Sequence, residues 1–230
     1  MTTGILYIVA TPIGNLSDIT HRAIETLQKV DLIVCEDTRT SRKLLDRYEI
    51  KTATTSFYQF QRNKGAVKPV PKLDWTVSEL VGGKNIALIT DAGTPGISDP
   101  GNQLVARAVE NNILVIPIPG ASALITLASV SGIDLTRFVF LGFPPHKKGR
   151  ETFFKEVIMQ KYPVCYFESP HRVVKNLELL KSLVQEKQII LGRELTKMFE
   201  EIVRGTVPEV LDYFLENPGK VKGEFVIIVY

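Results

Sequence analysis

Short apolar runs alternate along the chain with segments whose apolar positions recur every three or four residues, the two periods expected of buried strands and amphipathic helices. The first run, "ILYIVAT" (5–11), passes through a Pro-Ile-Gly-Asn turn to "DITHRAIETLQKV" (18–30), a helical pattern with Ser17 as its expected N-cap. "DLIVCED" (31–37) is then a strand and "TRTSRKLLDRYEI" (38–50) a helix. After a basic stretch, "TVSELVGG" (76–83) reads as helix, "KNIALIT" (84–90) as strand, "GNQLVARAVENN" (101–112) as helix and "ILVIPIPG" (113–120) as strand. This order is the signature of βαβ units and a largely parallel sheet with flanking helices.

Past residues 117–120 the texture changes. "RFVFLGF", "YPVCYFES", "QIILGREL" and "GEFVIIVY" are strands, separated by helices over about 148–160 and 171–186. The expected organisation is therefore two α/β domains, 1–118 and 119–230, the pairing in the second being unspecified by pattern.

Composition narrows the class. Apolar residues make up 44% and charged residues 23% of the 230 positions, ordinary for a globular protein. No uninterrupted apolar run approaches the ~20 residues that span a bilayer, and the N-terminus lacks the basic start and cleavage site of a signal peptide. A cytoplasmic protein without a membrane segment is expected. The two cysteines, Cys35 and Cys165, lie in apolar runs with no CxxC spacing and no clustered histidines, so they are expected to be buried thiols, with no disulfide framework and no metal site. The net charge of +3 identifies no partner, but "QRNKGAVKPVPK" (61–72) and "PPHKKGR" (144–150) are basic loops suited to a phosphate backbone or simply to solvent.

Each strand of the first half ends in small or acidic residues: 11–15, Glu36-Asp37-Thr38-Arg39, 91–96 and Gly120-Ala121-Ser122. Ligands of open α/β sheets bind beyond the carboxyl ends of the strands, so these ends define one candidate pocket. The loop "LITDAGTPGISDPG" (88–101) sets its chemistry. It matches neither GxGxxG nor GxxxxGK[ST], it contains Asp91 and Asp99, and no Lys or Arg interrupts it. A phosphate would be repelled; a neutral or cationic ligand would not.

"LYIVATPIGNLSDIT", "EDTRTSRKLL", "LITDAGTPGISDPG", "PIPGASA", "FESPHR", "GRELTK" and "KGEFVIIV", in this order, closely resemble the ribosomal RNA small-subunit methyltransferase I family of the tetrapyrrole methylase superfamily. The resemblance implies S-adenosylmethionine (AdoMet) as methyl donor, a cytidine 2′-hydroxyl of 16S ribosomal RNA, free or in the small subunit, as acceptor, a two-domain α/β fold and a homodimer. AdoMet carries a sulfonium cation and no phosphate, which agrees with the acidic, lysine-free loop. By the same resemblance Pro12, Ala92, Gly93, Thr94 and Ile97 line the cofactor site with Ser122 and Ala123, and Asp91 is the acid nearest it. Phe167, Leu195 and Glu224 of the second domain close over the adenosine.

Direct displacement on a sulfonium-activated methyl group needs alignment more than a triad, but a 2′-hydroxyl is a poor nucleophile and gains from a proton acceptor or a nearby cation. Glu36 or Asp37 is the expected acceptor or orienting group, and Arg39 the contact to phosphate or the reacting ribose. Arg193, Glu194 and Lys197 of "GRELTK" form a reserve set. An acid cap on the helix starting near Thr38, with a surface ion pair, explains the same residues without catalysis. Residues 56–67, "SFYQFQRNKGAV", depart from the family's pattern, and the C-terminal extension of longer relatives is expected to be absent after Tyr230. Two other readings remain: a superfamily methylase acting on a tetrapyrrole or a protein, and an RNA-binding module without catalysis.

Overall fold

The first sheet is parallel throughout and owes its position to central strands that are apolar on both faces, as a sheet sandwiched between helices requires. The structure, a computed structural model, describes residues 2–56, 71–98 and 101–230. The chain divides into two compact units, Met1–Ser122 and Ala123–Tyr230.

In the first unit, β1 (Ile5–Val9) leads through a single 3₁₀ turn at Leu16–Asp18 into α1 (His21–Lys29), followed by β2 (Leu32–Cys35), α2 (Thr38–Arg47), β3 (Thr54–Ser56), α3 (Pro71–Val81), β4 (Ile86–Ile89), α4 (Asn102–Glu110) and β5 (Leu114–Ile118). The strand order is β3-β2-β4-β1-β5, and every pairing is parallel. Alternate side chains separate onto the two faces. Val9, Ile33, Ala87 and Ile89 pack against Ala23 and Leu27 of α1 and Leu45 of α2, while Leu6, Val34, Ile86 and Leu88 pack against Leu73, Val77 and Leu80 of α3 and Leu104 and Ala108 of α4. The helices therefore cover both faces, and all the strands end on one edge.

Local caps differ from the sequence expectation at one point. Ser17 does not start α1; its N–H is taken by Asn15 Oδ1 in the 3₁₀ turn, and Thr20 caps the helix by accepting from the Ala23 N–H at 3.1 Å. The helix at 76–83 begins earlier, at Pro71, where the fixed φ of proline suits a first helical turn.

The second unit runs α5 (Ala123–Ser129), β6 (Val139–Phe140), α6 (Arg150–Met159), β7 (Val164–Glu168), α7 (Val173–Leu183), β8 (Gln188–Arg193), β9 (Glu201–Thr206), α8 (Val207–Glu216) and β10 (Phe225–Val229). Its sheet is mixed, in the order β6-β7-β10-β8-β9, with β10 antiparallel to both neighbours. Phe154, Leu177 and Phe214, one from each of α6, α7 and α8, join Tyr166, Leu191 and Ile227 in its core. The strand β9 and helix α8 were not anticipated from pattern. The sequence did carry a signal: Thr206-Val207-Pro208-Glu209 is a capping box with proline at its start, and both reciprocal hydrogen bonds form.

Candidate functional site

The carboxyl edge of the first sheet gathers loops that are far apart in sequence. Thr11 and Gly93 exchange backbone hydrogen bonds, at 2.9 Å from the Thr11 N–H and 3.1 Å from the Gly93 N–H, and Thr11 Oγ1 donates to the Thr90 carbonyl at 3.1 Å. This bridge sets Pro12, which is buried, beside the loop after β4. Thr94 Oγ1 donates to the Ala121 carbonyl at 3.4 Å, so the turn before Ser122 joins the same group. Gly93 has φ +83°, a backbone state that glycine enters at no steric cost. Ile97 leaves 47% of its surface exposed, an apolar side chain held outward from a loop of small residues. Asp99 lies outside the described residues, as do residues 57–70, which include most of the expected basic loop and of the segment that departs from the family's pattern.

Three carboxylates meet next to this loop because β2 and β4 are neighbours in register, Cys35 opposite Ile89. The Asp37 N–H donates to Asp91 Oδ1 at 3.2 Å, and the Asp91 backbone in turn donates to the Glu36 carboxylate. Burial, reinforced by the negative charges of Asp91 and Asp37, pushes the Glu36 carboxyl above its ordinary range. Asp91 is raised for the same leading reason, burial, with Asp37 adding repulsion and the hydrogen bond from Asp37 opposing it.

Asp37 behaves differently. Its Oδ1 accepts from the Arg39 N–H at 2.8 Å as the N-cap of α2, and its Oδ2 accepts from Arg39 Nη2 at 2.7 Å. These bonds from Arg39, side chain first and backbone second, lower its pKa to about 2. The cap and ion pair envisaged for this turn are thus present at Asp37 and Arg39, while Glu36 is half-buried and more basic than an ordinary carboxylate. Cys35, just before it, is buried, and burial raises its thiol; burial pushes Cys165 up to about 12.

Of the residues expected at the cofactor, Pro12, Asp91, Ala92, Gly93, Thr94, Ile97 and Ser122 fall in the first unit, and Ala123, Phe167, Leu195 and Glu224 in the second. Within the second unit, β10 lies between β7 and β8 with Val226 opposite both Phe167 and Gly192, which gathers its candidates at one end of the sheet. The Phe167 ring stands 5.0 Å from Phe140, edge-on, and 5.3 Å from Phe143. Leu195 is buried over Gly192, where an added Cβ would stand only 3.0 Å from Leu195 Cδ2. Ala123 opens α5.

Glu224 belongs to a tight knot with the reserve set. Lys197 Nζ bridges Glu194 Oε1 at 2.8 Å and Glu224 Oε2 at 2.9 Å, and Glu194 Oε1 also accepts from the Glu224 N–H at 2.9 Å. Burial opposes ionisation at Lys197 and Glu194, but their mutual hydrogen bond and those to Glu224 win, raising Lys197 and lowering Glu194. Glu194 (φ +50°) and Thr196 (φ +67°) hold left-handed backbone that non-glycine residues rarely adopt. Arg193 is buried, donating to the Lys222 and Phe199 carbonyls at 3.0 Å each. These bonds tie the reserve set to the turn that carries Lys222 and Glu224.

Among the described residues no group of three or more His, Cys, Asp or Glu forms a metal site, and no helix is long and apolar enough to cross a membrane.

Residues 5–211 match the family model described as Tetrapyrrole (Corrin/Porphyrin) Methylases. A protein of Synechocystis sp. named Ribosomal RNA small subunit methyltransferase I is 46% identical over 228 residues, covering 98% of this chain and 78% of its own. The Haemophilus influenzae protein of the same name is 45% identical over 229 residues, covering 99% and 78%. Among solved structures, a diphthine synthase superposes with a TM-score of 0.74 at 12% identity over 98% of this chain and 89% of its own. A cobalt precorrin-4 methyltransferase of cobalamin biosynthesis gives 0.67 at 16% identity over 97% and 94%. These two share the fold; the expected tetrapyrrole methylase-like α/β architecture is the one found.

Proposed function

This chain belongs to the tetrapyrrole methylase family, on its ribosomal RNA small subunit methyltransferase I branch, and from that premise we propose that it transfers a methyl group from AdoMet to the 2′-hydroxyl of a cytidine in 16S ribosomal RNA. The observation that carries the reading is the half-buried Glu36, made more basic by burial and by Asp91, on the same sheet edge as the lysine-free glycine loop.

The residues present fit AdoMet by their chemistry. The loop after β4 offers backbone groups, acids and an exposed isoleucine, and no cation stands between Asp91 and Ser98 to oppose a sulfonium. Pro12, Ala92, Gly93, Thr94, Ile97 and Ser122, with Ala123, Phe167, Leu195 and Glu224, are the residues proposed to contact the cofactor. When bound, AdoMet supplies an electrophilic methyl group. The chain's task is then to align the acceptor and remove its proton.

Glu36 is the better proton acceptor of the two acids at the end of β2. General-base efficiency rises as the base's pKa approaches the working pH, and Glu36 is shifted in that direction while Asp37 is shifted away. Asp37 acts one step removed: its N–H orients Asp91, and its carboxylate fixes the start of α2 and the guanidinium of Arg39. Arg39, exposed on the first turn of α2 and paired with Asp37, is proposed to contact a phosphate or the acceptor ribose.

The protein is proposed to act in the cytoplasm as a homodimer, with ribosomal RNA or the small subunit as its partner. The decisive experiment measures AdoMet binding by calorimetry and compares ribosomal RNA nucleosides by mass spectrometry in cells with and without the gene. Loss of one 2′-O-methylcytidine is expected; AdoMet binding with an unchanged nucleoside profile would move the substrate elsewhere, and absence of AdoMet binding would leave an RNA-binding module.

A further inference from the structure

Between β6 and α6 the chain passes through Pro144-Pro145-His146-Lys147-Lys148-Gly149, and the carbonyls of its first three residues are each held by an arginine. Arg172 Nη1 donates to the Pro144 carbonyl at 3.0 Å, Arg150 Nε to the Pro145 carbonyl at 3.4 Å, and Arg150 Nη2 to the His146 carbonyl. A guanidinium presents several N–H donors in a fixed fork, which a lysine ammonium cannot reproduce.

Arg172 is itself anchored. Its side chain is 13% exposed, its Nε donates to Ser169 Oγ at 2.9 Å, and it lies 3.5 Å from Glu168 Oε1. Glu168 has no exposed side-chain surface, and it accepts from the Ser169 N–H at 2.7 Å and from Asn176 Nδ2. The loop is thus tied through Arg172 to a buried polar network at the end of β7. The same strand end holds Phe167, whose N–H donates to the Gly142 carbonyl at 2.8 Å.

With these carbonyls held by the two arginines, His146, Lys147 and Lys148 are left exposed, and neither lysine pairs with an acid among the described residues. Sequence alone grouped Arg150 with these lysines as a phosphate contact; its bonds place it in the scaffold. We propose that residues 144–149 form a preformed cationic prong that docks the phosphate backbone of the RNA substrate through Lys147 and Lys148, with Arg150 and Arg172 as positioning residues. The proposal rests on the methyltransferase reading and adds to it a substrate-binding surface. A prong already held in its bound shape avoids the ordering cost that a free loop would meet on docking.

The test uses the full chain with a small-subunit ribosomal RNA transcript, titrated at several salt concentrations, beside AdoMet calorimetry and thermal melting. The pair Lys147→Gln and Lys148→Gln should lower the slope of log K against log salt by about 1.4 to 1.8, at roughly 0.7 to 0.9 per phosphate contact, and raise KM for RNA. Arg150→Lys keeps the charge but loses the two-carbonyl grip, so it should weaken RNA binding toward the level of the double lysine variant with AdoMet affinity retained. Arg172→Lys should do the same; if its contact with buried Glu168 prevents folding, Arg150→Lys decides alone. Full RNA affinity in Arg150→Lys overturns the positioning role. An unchanged salt slope in the double lysine variant overturns the prong, while retained AdoMet binding and methyl transfer there leave the methyltransferase reading standing.

Discussion

The backbone N–H of Asp37 donates to Oδ1 of Asp91 at 3.2 Å, joining two loops 54 residues apart. The bond exists because β2 and β4 are paired without being consecutive, and it separates the roles of two adjacent acids. Asp37 turns its carboxylate toward α2 and Arg39, and Glu36 faces Asp91 in a less solvated position.

That separation predicts unequal mutants. Glu36→Gln should lower single-turnover methyl transfer by about 100- to 10,000-fold, the usual range for losing a proton acceptor, with AdoMet affinity retained. Asp37→Asn, which also caps helices well, should keep most of the turnover. The reverse order in a quenched-flow assay would reassign the base.

The acidic limb of the wild-type rate should lie above the ordinary glutamate range of about 4.3, because Glu36 is raised by burial first and Asp91 second. Protonation of Glu36 as the pH falls through that raised value removes the acceptor. A pH–rate profile that is flat down to ordinary carboxylate values would argue against Glu36.

The same shifts have a sign in stability. Glu36 and Asp91 have folded pKa values above their unfolded ones, so the folded state binds more protons, and stability declines as pH rises from the unfolded toward the folded value. Glu36→Gln or Asp91→Asn should therefore raise the melting temperature at pH 7, and the gain should vanish below the ordinary carboxylate range. Asp37 is the opposite case: its lowered pKa of about 2 gives stability that is present above the unfolded value of 3.8 and is lost as pH falls through the folded one. Asp37→Ala should accordingly lower the melting temperature at neutral pH.

Two glycines of the loop after β4 should respond differently to alanine. At Gly93 an added Cβ has ordinary neighbours, the nearest Ile13 Cγ2 at 3.5 Å, so the cost comes from φ +83° alone, about 1–2 kcal/mol. At Gly101 the Cβ would meet Leu88 Cδ2 at 2.7 Å in addition to φ +138°, so displacing the buried Leu88 side chain adds to the cost. Urea denaturation should rank Gly101→Ala as the more destabilised.

Thr206→Ala removes the side chain that accepts from the Glu209 N–H and disconnects the capping box of α8. A loss of about 1 kcal/mol is expected from urea midpoints, with AdoMet affinity unchanged because α8 lies on the helical face of the second sheet.

The sequence by itself determined what depends on local pattern and composition. Apolar runs such as "IALI" and "FVIIV", bounded by turn residues, read as strands covered on both faces, and the acid and glycines of "DAGTPG", with no Lys or Arg among them, argue against a phosphate cradle before any fold is known. Motifs in a fixed order were enough to identify the family. Only the tertiary structure decided the strand order, which put Asp91 against Glu36 and Asp37. It chose Asp37 over Glu36 as the cap and as the partner of Arg39, and it alone assigned Lys197 to Glu194 and Glu224, and Arg150 to the carbonyls of its own loop. The physical reason is that a charged side chain's role is set by desolvation and by partners at hydrogen-bond distance, and these are fixed by which strands and loops become neighbours, whereas burial of an apolar run is set by the run itself.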